Sequence, residues 1–595
     1  LAGQTLDIYD LINPDQMGLK IAEQWSTWKT ARASREREWE EIRRYVYATD
    51  TSETNNASLP WKNKTTIPKL CQIRDNLYAN YIAAMFPKRK WLVWESDTED
   101  GADKEKTSAI EMYMMWVVER SDFKNIMQKA LLDYIDYGNP FLTVDWLDER
   151  RTLDTGEKLG YVGPVLQRIN PLDIVMNPLA PSISQAPKII RSYKTLGEVK
   201  DILDSETRED NQLEMEDLYS YLMEVRRNAQ QLDSDLAIKD GFFQMDGFTD
   251  FRSYLGSDYA ELLTFYGDIF DYEKGILLKN HIVTIVDRHK VLSIKPNPAV
   301  FGSARIFSSS WRKRQDSLWG MGPLDNLLGM QYRIDHLENM KADVFDLIAF
   351  PPLKIKGYVE DFEWAPMSRI YVGDDGDVSM LVPDVNALTA NFEIDNLEKK
   401  MEEMAGAPKE AMGFRTPGEK TAFEVQRLEN SASRVFQNKI AQFEEEVVEP
   451  CLNAMLELAS RKMDGATPVR IFDSEAKITR FADLTTADIA GQGRLRPMAA
   501  RHFAERSEII QNLSNFFSSS VGQDADVRRH FSSIKLASMV EHLLDLDLFN
   551  LVSPNIRLTE NAEAQTLNNV AQEQSMMASQ TPSGLTPEDA TQSFL

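Results

Sequence analysis

The chain has 595 residues, 43% apolar and 10% aromatic, with 67 Lys and Arg against 93 Asp and Glu for a formal charge of −26. That composition excludes a disordered chain and supplies core for several subdomains, while a pI near 4.8 argues against tight nonspecific nucleic-acid binding over the whole surface without excluding contact with DNA. An acidic surface still suits a channel through which a polyanion slides without sticking, and it is also common in ordinary soluble proteins.

The two cysteines, Cys71 and Cys451, lie far apart and offer neither a disulfide framework nor a zinc spacing. The sequence does not open on a basic segment followed by an apolar one, and no apolar run reaches the ~20 residues that cross a bilayer. The expectation is a soluble, unexported protein that assembles in a reducing compartment and has no membrane contact.

Residues from Pro14 to Thr49 read as one helix, with Leu19, Trp25, Trp28, Trp39, Ile42 and Val46 among dense Arg and Glu. Charge pairs at i,i+4 suit a solvated helix on a rim. After a Ser-, Thr- and Asn-rich loop, a helix is expected from about Pro68 to Met85. A basic turn, Pro87-Lys88-Arg89-Lys90, follows between that helix and Trp91 and Trp94. Cations beside aromatics suit phosphate and stacking contacts, and a plain solvated turn is the competing reading.

Two helices are expected between Lys104 and Tyr137, the second ending at Gly138. The runs PFLTVDW, YVGPVLQRINPLDIVMNP, KIIRSYK, ELLTFYGDIFD and HIVTIVDRHKVLSI alternate apolar and polar residues between turn signals, as strands do. Polar helices interrupt them between Thr195 and Asp240. Residues 1–318 therefore read as one α+β domain, helices first and then an antiparallel sheet with a helical insertion.

From Trp319 the pattern changes. Leu327, Met330, Ile334, Leu337, Val344 and Ile348 keep a 3,4 spacing, with Lys341 the only break. They predict a helix ~40 Å long with one narrow apolar stripe. Residues 351–387 read as a small β unit in which DDGD, Asp374 to Asp377, supplies the hairpin turn. Asp374, Asp375 and Asp377 lack the spacing of a calcium loop. A second helix places Ala390, Ile394, Leu397, Met401 and Met404 at 4,3,4,3 spacing, so that the two helices zip together.

A third helix runs from Thr421 to about Met463 on Val425, Leu428, Ala432, Val435, Phe436, Ile440, Phe443 and Val447. Pro450 lies inside it, removes a backbone donor and crowds the preceding turn, which predicts a kink. Short strands, PVRIF and AKITRF, precede helices from about Pro497 to Phe517 and Asp524 to Asp547, and the chain finishes in a polar tail. The fold class is α+β, predominantly helical.

Motifs that could carry chemistry are nearly absent from the sequence. In GFRTPGEKT, Gly413 to Thr421, Glu419 intrudes before Lys420 and Thr421, and a helix stands where a phosphate loop requires a strand. The histidines, His281, His289, His336, His502, His530 and His542, show no metal-ligand spacing, and there is no G-x-S-x-G elbow. No catalytic residue, metal or cofactor is expected, and the chain does not read as an enzyme.

Five stretches occur in a telling order: GNPFLTVDW at Gly138, LQRINPLDIVMNP at Leu166, ELLTFYGDIFD at Glu261, GMGPLDNLLGMQYRIDHLENM at Gly320 and TPGEKTAFEVQRLEN at Thr416. With the sequence of α+β domain, long helix, β insert, second helix, Gly/Pro-rich loop and kinked helix, they resemble the portal proteins, or head-to-tail connectors, of short-tailed bacteriophages. The resemblance spans about residues 20 to 550.

It implies a homododecamer, a ring of about twelve subunits at one capsid vertex. It further implies a wing at residues 1–318, stem helices at 319–350 and 388–405, a β clip at 351–387 and a tunnel loop at 406–420. The long kinked helix at 421–463 and a short β region at 464–490 return to the wing, and a helical crown at 491–555 precedes the polar tail at 556–595. Implied partners are double-stranded DNA, passed without sequence specificity during packaging and ejection, the major capsid protein, scaffolding protein, the terminase large subunit, and tail adaptor or tail proteins at the clip. The implied location is the virion, with assembly in the host cytoplasm.

The residues fit that mechanism. Gly406, Pro408, Gly413, Pro417 and Gly418 prevent helix continuation, and Lys409, Arg415 and Lys420 are suited to transient phosphate contacts. The stripes on the two stem helices bury against each other and against neighbouring subunits, closing a heterologous contact into a ring. Two other classes compete. A packaging ATPase or nuclease requires nucleotide or metal motifs that are missing; a tail tube, head-tail adaptor or scaffold is opposed by the length, the aromatic-rich core and the β elements.

Overall fold

The computed structural model describes residues 5–8, 14–47, 62–86, 91–96, 104–149, 151–152, 158–200, 220, 237–248, 259–297, 306–359, 370–381, 389–405, 438–463, 467–473, 478–491 and 493–497. The chain divides into two compact units, Leu1–Ile471 with Thr479–Arg501, and Phe472–Ile478 with His502–Leu595. The elements described belong to the first, except that the strands at 467–473 and 478–484 each end or begin in the second.

A strand β1 (Thr5–Ile8) precedes helices α1 (Pro14–Ala31) and α2 (Ala33–Tyr47). The single solvated helix expected over Pro14 to Thr49 is thus two helices, and the residue at the break explains the difference. Arg32 is buried, and its guanidinium donates to the carbonyls of Pro171 at 2.8 Å, Leu172 at 2.9 Å and Ile174 at 2.5 Å, and to Glu36 at 2.7 Å. Arg35 and Glu36 are buried as well, as are Trp25, Trp39, Ile42 and Val46. The charges tie this stretch into the interior and do not mark a rim.

Helix α1 lies on a sheet. Strands β7 (Ile174–Met176), β8 (Lys188–Thr195), β9 (Tyr259–Asp271), β10 (Ile276–Val286) and β11 (Lys290–Pro296) are ordered β11-β10-β9-β8-β7 and pair antiparallel. Strand β1 adds a parallel pairing to the far end of β9, Thr5 opposite Asp268, so the sheet is mixed where an antiparallel one was expected. Met17, Ile21 and Trp25 meet Val175, Ile189, Leu263, Phe265 and Val283 in one apolar cluster. The alternation in ELLTFYGDIFD has its cause here, since every second residue from Leu263 to Asp271 is buried, while the adjacent Leu262 is buried in a separate cluster.

A second, larger core forms around α3 (Lys69–Met85), β2 (Leu92–Ser96), α4 (Lys104–Arg120), α5 (Phe123–Asp136) and β3 (Phe141–Asp148). Two short strands, β4 (Arg151–Thr152) and β5 (Lys158–Leu159), lead to β6 (Val162–Ile169), which pairs with β3. Helix α6 (Ala237–Met245) sits beside α2, and β12 (Ile306–Phe307) completes the β12-β3-β6 sheet. Then come β13 (Arg312–Arg314), β14 (Ser317–Met321) and the long helix α7 (Leu328–Ala349).

Strands β15 (Leu353–Lys356) and β16 (Asp377–Met380) pair antiparallel, Leu353 opposite Met380. Gly373 to Gly376 forms a turn, Gly376 N–H to the Gly373 carbonyl at 2.8 Å, but it lies in the returning arm, because Val359 already bridges Val372 ahead of it. The expected DDGD turn therefore does not join the two arms, and residues 360–369, which do, lie outside the described residues. Gly357 opposite that turn has φ of +76°, and a Cβ there would meet the Asp375 carbonyl oxygen at 2.6 Å.

Helix α8 (Ala390–Ala405) returns along α7, and a helical run from 438 leads into α9 (Glu449–Lys462). Pro450 lies in the first turn of α9. Just before it, Glu444–Val448 forms one wide turn in which the Glu449 N–H reaches the Glu444 carbonyl, five residues back. A proline ring that crowds the preceding turn and brings no donor is accommodated by that widening. Beyond are β17 (Thr467–Asp473), β18 (Ile478–Leu484), a single turn Thr486–Ile489 and β19 (Gly493–Pro497), which pairs with β2.

Candidate functional site

The first half of α7, all of α8 and the helix through Phe443 and Leu452 share one core with α3, α4 and α5. Of the stripe residues, Leu327, Ile334, Leu337, Ile394 and Met401 are buried, and Met330 and Leu397 pack half-buried against the same cluster. Val344 and Ile348, farther out on α7, are half-buried and lie outside it. Lys341, the break in the apolar spacing, braces the pair from its edge, with Nζ 3.0 Å from Asn391 Oδ1 and 2.6 Å from Glu338. Arg333 pairs with Glu393 at 3.1 Å.

A second face of α7 carries a polar ladder that the apolar spacing gives no hint of. Gln331, Asp335, Asn339 and Asp343 recur every four residues and hold the extended segment 62–68, and Leu70 in the first turn of α3, by the backbone. Asp343 accepts the N–H groups of Lys62 at 2.7 Å and Asn63 at 2.8 Å. Asn339 takes both sides of Thr65, Asp335 accepts from Ile67 N–H at 3.0 Å, and Gln331 donates to the Ile67 carbonyl at 2.5 Å. Two residues of extended chain advance about as far as four residues of helix, so the two repeats stay in step. Burial disfavours the Asp343 carboxylate, and the Asn63 and Lys62 N–H donors outweigh it and hold the group below the usual carboxylate range. The sequence signal was the four-residue polar repeat itself.

Farther out, the surface becomes apolar. Phe345 and Leu347 on the last turns of α7, Phe350 at its C-terminal cap, Ile355, Tyr358, Tyr371, Met380 and Leu381 on the β15–β16 unit, and Phe392 at the start of α8 are all exposed, Phe350 at 75% and Phe392 at 81%. Scattered exposed apolar residues are ordinary, whereas this many large ones on adjoining elements mark a surface built to be covered.

At the other end of α7, two of the quoted stretches meet. Gly138, at φ of +82°, packs where a Cβ would lie 2.6 Å from the Gly322 nitrogen, and Asn139 Oδ1 accepts from Gly320 N–H at 2.6 Å while its Nδ2 donates to the Ser309 carbonyl at 3.0 Å. The turn between α5 and β3 is thereby fixed to the strand that feeds α7.

The loop residues Gly406, Pro408, Lys409, Gly413, Arg415, Pro417, Gly418 and Lys420 lie outside the described residues, as do Pro87, Lys88, Arg89 and Lys90. The tryptophans beside that basic turn are core: Trp91 and Trp94 are buried, and the Trp94 backbone N–H donates to Glu111 Oε1 at 3.0 Å. They do not offer stacking faces to nucleic acid.

Among the described residues no group of three or more His, Cys, Asp or Glu is placed to hold a metal ion, and no helix is long and apolar enough to cross a membrane. The chain matches no protein-family model and no curated protein sequence.

Proposed function

We propose that the chain is a portal subunit of a tailed bacteriophage. In this reading the subunits close into a ring of about twelve at one capsid vertex, through which double-stranded DNA is packaged and later ejected. The subunit performs no catalytic step. Helices α7 and α8 act as the stem, the β15–β16 unit as the clip, and residues 406–420 as a DNA-facing loop in which Lys409, Arg415 and Lys420 touch phosphates transiently. The major capsid protein, scaffolding protein, terminase large subunit and tail proteins are the partners of such a ring, and the virion is its location.

The observation that supports this reading best is the contrast along α7. Its first half is buried in the subunit's own core, whereas its last turns and the hairpin beyond them expose Phe345, Phe350, Ile355 and Tyr358. A helix pair rooted in one domain and apolar at its free end suits a heterologous contact repeated around an axis. Mass photometry of the purified chain across protein concentration and salt tests the reading. A single large species near the mass of about twelve chains is expected; a monomer or dimer under all conditions would overturn it. In assembled particles, replacing Lys409, Arg415 and Lys420 together by Gln is expected to lower DNA retention.

A further inference from the structure

The chain carries −26 overall, yet one exposed hairpin is basic. Arg312, Lys313 and Arg314 form β13 and are all exposed, and β14 returns beside them with Ser317 opposite Arg314. The hairpin rests on a fixed indole: Trp311 is buried, and its Nε1 donates to Tyr81 at 3.0 Å. The Arg312 guanidinium lies 5.4 Å from the centre of that ring and the Lys439 amine 5.0 Å. Lys439 also donates to the Trp311 carbonyl, and Gln442 to the Ser310 carbonyl at 3.0 Å, so the hairpin is tied to the helix that begins at 438.

Glu446 pairs with Lys313, and Asp316 sits in the turn, so the four cations are only partly offset. Burial lowers the Lys439 amine from the usual lysine range, and Arg312 and Lys313 lower it further. Cations crowded onto one rigid ledge favour an anion that neutralises several at once.

Its place in the fold narrows the partner. Strand β14 feeds α7, and the end of α8 lies at the same end of the stem, where Lys69 bridges Glu398 at 3.2 Å and Glu402 at 2.7 Å next to the Gln331–Leu70 contact. The described chain leaves at Ala405 and resumes at 438, beside the hairpin.

We propose that Arg312 and Arg314, backed by Lys313 and Lys439, form a phosphate-contacting ledge for duplex DNA at the base of the stem, made of residues other than Lys409, Arg415 and Lys420. The assignment of DNA rests on the portal reading. The ledge supplies charge without base-edge contacts, so binding is independent of sequence and steeply salt-dependent.

The test is fluorescence anisotropy of a ~30-base-pair duplex with the full-length wild-type chain and with R312Q/R314Q, over a salt series, with mass photometry of both proteins. The variant spares the Lys313–Glu446 and Lys439–Trp311 contacts. The slope of log affinity against log salt is expected to shrink by roughly 2, with an affinity loss on the order of tenfold at low salt. Equal affinity and slope in the two proteins, or no salt-dependent binding by the wild type, overturns the ledge. Poly-glutamate that competes as well as DNA overturns the choice of duplex. Rings with unchanged DNA binding defeat the ledge and leave the portal reading intact; absent rings with binding lost in the variant do the reverse.

Discussion

Asn339 closes a two-way clasp on Thr65: its Oδ1 accepts the Thr65 N–H at 2.6 Å and its Nδ2 donates to the Thr65 carbonyl at 2.9 Å. Asn339 is fully buried, so the amide takes the part of a strand neighbour for Thr65. Asn339→Ala removes both bonds and is expected to cost about 1–3 kcal/mol in urea unfolding. Hydrogen exchange should speed up over residues 62–70 and stay unchanged in β9. Unaltered exchange at Thr65 would show that the ladder does not hold the segment.

The clasp also shows where sequence reasoning stopped. Apolar spacing located α7 and α8 because burial of one face selects one period, and Ile334, Leu337, Ile394 and Met401 are inside as that period requires. Hydrogen bonds from side chains to a distant backbone leave no such period in the partner. Arg32 is the same case: its charge suggested solvent, but its acceptors are carbonyls more than a hundred residues away, at Pro171, Leu172 and Ile174. The strands of the main sheet were legible from alternation, whereas the parallel addition of β1 was not, since four residues carry too little pattern.

Arg32 should tolerate no other cation. Three carbonyls and Glu36 are engaged by Nη1, Nη2 and Nε together, a fork that a single ammonium cannot reproduce. Arg32→Lys is expected to destabilise by about 2–4 kcal/mol in chemical denaturation, because it leaves buried acceptors unmatched. A change below about 0.5 kcal/mol would contradict this account.

Lys188 is fully buried on β8, and its amine has no hydrogen-bond partner among the described residues. Burial pushes the amine down to about 8 from 10.5. Between those values the unfolded chain holds the proton that the folded chain has released, so stability rises with pH across that window. Below it the cost of burying the charge is complete, about 3 kcal/mol. Lys188→Met is therefore expected to be the more stable protein at pH 7, with the gap closing as pH rises toward 10. A gap independent of pH would contradict the assignment.

Two substitutions, one inside α7 and one at its C-terminal cap, should separate folding from assembly. Ile334 is fully buried, and Ile334→Ala is expected to cost about 2–5 kcal/mol in unfolding of the subunit. Phe350 is 75% exposed, so Phe350→Ala should change subunit stability by less than about 0.5 kcal/mol while shifting the mass distribution toward small species. Equal effects on both readouts would mean that Phe350 belongs to the subunit core.

A portal subunit, as proposed here, closes into a ring around an axial hole. Negative-stain imaging of the purified protein, with class averages down the symmetry axis, tests it most directly. Closed rings of about twelve subunits with a stain-filled centre are expected. Open arcs, filaments or compact particles without a hole would contradict it.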